Sequence, residues 1–196
     1  MGGQTTTEAD VTVLLRSRAE PDCFAELFER YFAGLHGYAS RRLDGPGGDD
    51  VAAETFLIAF RQRDRFDPER GSVRAWLYGI ATNLIRARRR EEAQGYLAYA
   101  RAAAHPPDDP VHEDRTTDRI AAEAARKRIV AALADLSAGD RDALLLVVWG
   151  ELSHEETAAA LGIPVGTVGS RLHRARRKIR AAFDDVNPTG GTARHG

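Results

Sequence analysis

The chain has 196 residues, 43% of them hydrophobic, with 28 Lys or Arg against 29 Asp or Glu and a net charge of −1. That length and apolar content suit one or two small cores. A lone cysteine, Cys23, excludes an internal disulfide and a thiolate zinc site. No apolar run approaches membrane-spanning length, and the N-terminus lacks a charged-then-apolar secretory pattern, so a cytoplasmic location is expected.

The near-neutral total hides strong segmentation. Residues 1–60 carry 5 basic and 10 acidic groups, and residues 61–101 carry 10 and 5. Residues 102–161 carry 6 and 12, and residues 162–183 carry 6 and 0. Two basic blocks separated by an acidic one suggest two nucleic-acid contacts. Strand alternation and internal repeats are absent. The expected fold is all-α: two small helical domains joined by a flexible acidic linker, the C-terminal one a helix-turn-helix.

Residues 1–9 are polar and expected to be disordered. Asp22 is placed to cap a helix in which Phe24, Leu27, Phe28, Tyr31, Leu35 and Tyr38 recur at helical spacing. Cys23, beside Phe24, reads as a small buried residue. The run from Asp44 to Gly48 (DGPGG) breaks this helix. In the next, about Asp49 to Arg63, Val51, Ala52, Ala53, Phe56, Leu57, Ile58, Ala59 and Phe60 surround nearly the whole circumference. A helix apolar almost all round is buried on more than one side. It either packs within its own domain or docks partly on another protein.

A loop from Phe66 to Ser72 follows. Val73, Trp76, Leu77, Ile80 and Leu84 then define an amphipathic helix whose other side shows Arg74, Tyr78, Thr82, Arg86 and Arg89. Trp76 lies on the apolar stripe and is expected in the core, with Tyr78 the more accessible ring. Aromatic and arginine groups together suit single-stranded nucleic acid, where bases stack and phosphates pair. A plain surface helix with a basic C-terminus is the alternative.

Residues 91–119 are rich in prolines and acids without periodicity and read as the linker. His105 and His112 within it are too isolated to suggest a metal. Beyond residue 120, Ile129, Leu133 and Leu136 are expected inward. Ser137 and Asp140 have capping-box spacing ahead of the apolar run Ala143 to Trp149.

The most informative stretch is Ser153 to Phe183. Ser153 and Glu156 have the spacing of a capping box. Thr157, Ala158 and Leu161 face inward on a short helix. Gly162 supplies the turn, and Pro164 fits the first turn of the next helix. On that second helix Val168, Leu172, Ala175 and Ile179 form one apolar side at about 100° per residue. Opposite lie Gly166, Ser170, His173, Arg174 and Arg177, placed to reach base edges. Arg171 and Lys178 on one flank and Arg176 on the other are placed to reach phosphates. A solvated basic helix without a ligand is the bland alternative.

Taken together, these motifs resemble a bacterial RNA polymerase sigma factor of the small extracytoplasmic-function type. The order carries the likeness: an apolar helix, DRFDPERGSVRAWLYGIATNL, an acidic linker, then GIPVGTVGSRLHRARRKIR. The resemblance implies that residues 10–90 are the sigma domain that grips core polymerase and melts the minus-ten element. It implies that residues 120–183 are the domain that reads the minus-thirty-five element, with 184–196 a tail. Asp50, Val51, Glu54, Phe56, Leu57 and Ile58 would then meet the β-prime clamp, and the C-terminal domain the β flap. Phe66, Asp67, Arg70, Ser72, Arg74, Tyr78, Thr82, Asn83, Arg86 and Arg89 would capture the non-template strand. Gly166, Thr167, Ser170, Arg171, His173, Arg174, Arg176 and Arg177 would contact the minus-thirty-five duplex. An anti-sigma factor is a common partner in that family. No cofactor, metal or catalytic residue is implied. Three positions depart from the family pattern: Gly169 stands where a Lys or Arg is usual, Ala53 where Gln is common, and Ala87 where an acid is common.

Other classes fit less well. A stand-alone repressor or activator needs a sensor or dimerisation domain, for which there is no signature. A recombinase needs a nucleophile in a strand-rich domain, whereas Ser17 and Ser40 lie in helical patterns. Gly45 to Gly48 lacks the lysine of a phosphate-binding loop. Each lost bidentate base contact costs about 1–3 kcal/mol. Arg174→Ala is therefore expected to weaken promoter-specific transcription more than Arg180→Ala; equal effects would count against the groove assignment.

Overall fold

The computed structural model describes residues 2–43, 47–102, 128–129 and 131–184, and every regular element among them is helical. Most of the expected linker, with His105 and His112, lies outside the described residues, as do residues 44–46 and the tail from 185.

Helix α1 (Gly2–Arg16) begins where disorder was expected. Val13 and Leu14 fix it in the core, and Asp10, 2% exposed, is bonded to Arg30 and Tyr31. A 3-10 turn, Pro21–Phe24, leads into α2 (Ala25–Ser40). Asp22 lies within that turn, and α2 starts without a side-chain cap, because the turn itself carries the chain into the helix. Cys23 is not in the core: it is half-buried, with the Arg16 Nε 3.0 Å from its sulfur.

Helix α3 (Gly47–Gln62) packs along α2. Their approach needs Gly48, since a Cβ there would stand 2.8 Å from the Cα of Ser40. Helix α4 (Val73–Ala102) runs well past residue 90, where the linker was expected to begin. Val73, Leu77, Ala81 and Ile85, spaced by four, are buried along one side of it.

The C-terminal unit comprises a helical stretch at 131–135, α5 (Ala138–Val148), α6 (His154–Leu161) and α7 (Val165–Asp184). Leu136, Ala143, Leu144, Ala158, Val168, Leu172 and Ala175 form its core. Ile129, expected inward, is 44% exposed. The capping box at Ser153 and Glu156 is complete in both directions. Gly162 ends α6 at φ 62°, ψ 40°, the left-handed conformation that suits glycine. At Ser137 only half a box forms. The hydroxyl accepts from the Asp140 backbone N–H at 3.2 Å, while the Asp140 carboxylate turns to Arg174.

The two units are packed together. Leu145, Leu146 and Leu152 of the C-terminal unit belong to the same buried cluster as Tyr38, Leu77 and Tyr78. Helix α6 lies against α4, and a Cβ on Gly79 would stand 2.7 Å from the carbonyl oxygen of Ala160. Backbone cannot yield as a side chain can, so overpacking here costs roughly 1–3 kcal/mol. Gly79→Ala is expected to loosen the two units while leaving each one helical. Small-angle scattering should show a larger radius of gyration at unchanged far-UV circular dichroism; an unchanged radius would mean that this contact does not hold the units together.

Candidate nucleic-acid interface

On α7 the apolar stripe faces inward as expected, with Val168, Leu172 and Ala175 buried and Ile179 partly so. The two flanks of the helix differ. On one, basic side chains are tied to the first turn of α5 and to Asp135 before it. Arg171 donates to the Gly139 carbonyl at 3.4 Å, and Lys178 reaches the carboxylate and carbonyl of Asp135 at 2.8 and 2.9 Å. Arg174 holds Asp140 through Nε at 3.1 Å and Nη2 at 2.7 Å. The Arg174 bond keeps the Asp140 carboxyl below its ordinary range, so this pair stays charged at neutral pH. On the other flank His173, Arg176, Arg177 and Arg180 are exposed and, with His154 and Gly169, line an open cleft of about 610 Å³. Gly166 and Ser170 are exposed and Thr167 is half-buried; the Ser170 hydroxyl donates to the Thr167 carbonyl at 2.9 Å. From Val165 to Phe183 the helix has no acid of its own, and its basic side lies opposite an apolar stripe, the arrangement that inserts into a DNA groove.

The polar side of α4 is placed differently from expectation. Tyr78 is 4% exposed, whereas Trp76 is only part-buried, against Phe66. The expectation is reversed because the C-terminal unit covers Tyr78: the Gly150 turn lies against its ring. Thr82, 1% exposed, bonds the Tyr78 carbonyl and the Tyr38 hydroxyl. Ser72 donates to Glu156 at 3.2 Å, so the capping-box glutamate also serves the contact between units. Arg74 donates to the carbonyls of Gly150 and Glu151 at 2.8 and 3.2 Å. Glu151 has φ 52°, rare for a residue with a Cβ, and this turn aims both carbonyls at one guanidinium. Arg89 donates to the Arg42 carbonyl at 2.5 Å. In the preceding loop Phe66 is buried, Asp67 caps a short turn by accepting from the Glu69 N–H, and Arg70 is exposed, as is Asn83 on α4.

The centre of this contact was not foreseen. Asp142 of α5, 1% exposed, accepts from Arg42 and from Arg86, each at 2.5 Å. The Arg42 side chain is 2% exposed and also donates to the Tyr38 hydroxyl at 2.7 Å. Burial pushes the Tyr38 phenol up from its ordinary value, so it remains a neutral partner. In the sequence, Asp142 beside the apolar run was the sole hint, a carboxylate where a core helix turns inward.

The α3 residues divide. Val51 and Phe56, expected at the clamp contact, belong to the core of the unit. Asp50, Glu54 and Leu57 lie at the surface, with Ile58 half-buried; Arg88 pairs with Asp50 and Glu54 at 3.3 and 3.6 Å. Phe28 of α2, 41% exposed and 4.9 Å from the Phe56 ring, stacks on Phe32 and extends this apolar surface.

Residues 27–94 match the family model for Sigma-70 region 2, and residues 126–179 that for Sigma-70, region 4. The chain is 36% identical over 173 residues to the RNA polymerase sigma factor CnrH of Cupriavidus metallidurans, covering 82% of this chain and 86% of that one. It is 31% identical over 172 residues to the ECF RNA polymerase sigma factor SigL of Mycobacterium tuberculosis, covering 87% and 94%. Its fold is similar to the structure of CnrH in complex with the cytosolic domain of CnrY, with a TM-score of 0.63, 27% identity and coverage of 91% and 99%.

Gly169 sits mid-helix on the exposed flank, and an added Cβ there would meet nothing within 4 Å. Replacing glycine by alanine in an open helix interior stabilises by about 1 kcal/mol. Gly169→Ala should therefore raise the thermal midpoint by roughly 2–4 °C. A lower midpoint would show that the backbone at 169 needs glycine.

Proposed function

This chain belongs to the extracytoplasmic-function family of RNA polymerase sigma factors, and we propose that its two units divide promoter recognition between them. The protein is a promoter-specificity subunit of RNA polymerase. Helix α7 reads the minus-thirty-five duplex. The surface of α2 and α3 around Phe28, Leu57 and Ile58 docks on core polymerase in the cytoplasm, and α4 captures the minus-ten non-template strand. The protein supplies binding energy and no catalysis of its own.

The observation that carries this reading is the basic outer side of α7, which has no acid of its own from Val165 to Phe183, opposite its buried stripe. The exposed aromatic surface of α2 and α3 adds to it, since large apolar patches mark docking sites. An anti-sigma partner fits the same logic, because a protein covering these surfaces would silence both contacts. CnrH, bound by the cytosolic domain of CnrY, offers a parallel.

The packing of the units constrains the order of events. Tyr78, Thr82, Arg74 and Arg86 are engaged by the C-terminal unit or buried under it. Strand capture on α4 therefore requires the units to part, and Asp142 must release two guanidiniums that a phosphate backbone can then take.

Core polymerase supplemented with this chain should give run-off transcripts from a promoter selected from a randomised library. A stand-alone repressor or activator would bind the fragment without conferring initiation on core enzyme. Removing one partner from a buried ion pair costs about 3–5 kcal/mol. Asp142→Asn should accordingly raise affinity of the free protein for a single-stranded minus-ten oligonucleotide by about tenfold or more. Unchanged affinity would remove the link between closure and strand capture.

A further inference from the structure

We propose that Asp140 is a specificity-determining residue that holds Arg174 in the orientation for reading guanine. This rests on the reading of α7 as the duplex-reading helix.

The geometry of the pair is the starting point. The Asp140 carboxylate grips the guanidinium side-on, through Nε and one hydrogen of Nη2. A guanidinium has five N–H donors in a plane. The edge formed by Nη1 and the second hydrogen of Nη2 is left facing away from the carboxylate. That edge presents two parallel donors, the pattern that matches O6 and N7 of guanine in the major groove. Adenine sets an amino donor against it.

Exposure agrees with this division of the side chain. The Asp140 side chain is 12% exposed and that of Arg174 47%, so the carboxylate sits largely inside while the arginine keeps open surface. Asp140 is itself fixed: its backbone N–H is bound by the Ser137 hydroxyl in the first turn of α5. The other two ties on this flank lack that character. Arg171 makes its hydrogen bond to a backbone carbonyl, at 3.4 Å. Lys178 and Asp135 are both open to solvent, and such pairs hold little.

The pairing also changes what Arg174 recognises. An unpaired arginine on this face would bind any phosphate within reach. With a carboxylate on one edge its net attraction for the backbone falls, and only a base offering two acceptors rewards the remaining edge. Asp140 therefore trades general affinity for discrimination at one base pair.

The test uses the full chain with core polymerase and a promoter library randomised over the minus-thirty-five element, sequenced after transcription selection. Wild type, Asp140→Asn, Asp140→Ala, Asp140→Glu, Arg174→Ala and the Asp140→Ala/Arg174→Ala pair are compared. The expected result is that Arg174→Ala erases a guanine preference at one position. Asp140→Asn and Asp140→Ala reduce that preference about tenfold, within the range of one bidentate contact, and leave other positions unchanged. Asp140→Glu restores part of it, and the double variant matches Arg174→Ala. If the Asp140 variants lose preference equally at every position, Asp140 is merely structural and the proposal falls. If Arg174→Ala flattens one position while the Asp140 variants do not, Arg174 reads its base unaided and the proposal falls alone. If Arg174→Ala changes no position, the assignment of Arg174 as a base reader falls first.

Discussion

Asp142 receives guanidiniums from Arg42 and Arg86, one from the loop after α2 and one from α4, at a point from which water is nearly excluded. A buried carboxylate is tolerated only when its charge is met by well-placed donors. Two arginines meet this one, and the requirement fixes α5 against the N-terminal unit. Once α5 is fixed, Leu145 and Leu146 enter the neighbouring core, the Gly150 turn covers Tyr78, and α6 lies on α4 at Gly79. The arrangement is specific because a shift of α5 would separate Asp142 from both guanidiniums. It is also reversible in principle, because phosphates are the natural competitors for two arginines.

The same acidic chemistry is used differently within the C-terminal unit. Asp140, two residues earlier, stays inside its own unit and holds Arg174. Asp140 and Asp142, two residues apart on α5, thus face opposite ways: one carboxylate holds Arg174 of α7, and the other fastens the units to each other. Glu156 has a comparable double duty, closing the capping box of α6 and accepting from Ser72 of the other unit. Acids in residues 102–161 are therefore not only a solubilising counterweight to the basic blocks. Several of them address particular basic or hydroxyl groups.

Much of the fold was legible because it is written in local terms. The Ser153 and Glu156 box, the left-handed Gly162 and the stripe Val168, Leu172, Ala175 and Ile179 are properties of neighbours within one or two turns. All of them stand as expected. The basic surface of α7 was legible for the same reason. Tyr78 was misjudged because its position opposite an apolar stripe says only that its own unit does not bury it. Phe56 and Val51 lie in the core, which was not legible because a helix apolar all round does not reveal which side its own unit takes.

The sequence by itself determined the helical class, the two basic blocks, the helix-turn-helix and the family to which they belong. Each depends on spacing and composition within a short window. Only the tertiary structure decided which polar residues are free. Arg42 and Asp142 are 100 positions apart, and Arg86 and Asp142 are 56 apart. An arginine on the polar side of a helix reads alike whether it awaits a phosphate or already holds a carboxylate. The difference is made by a partner from a distant segment, and helical periodicity carries no information about that partner.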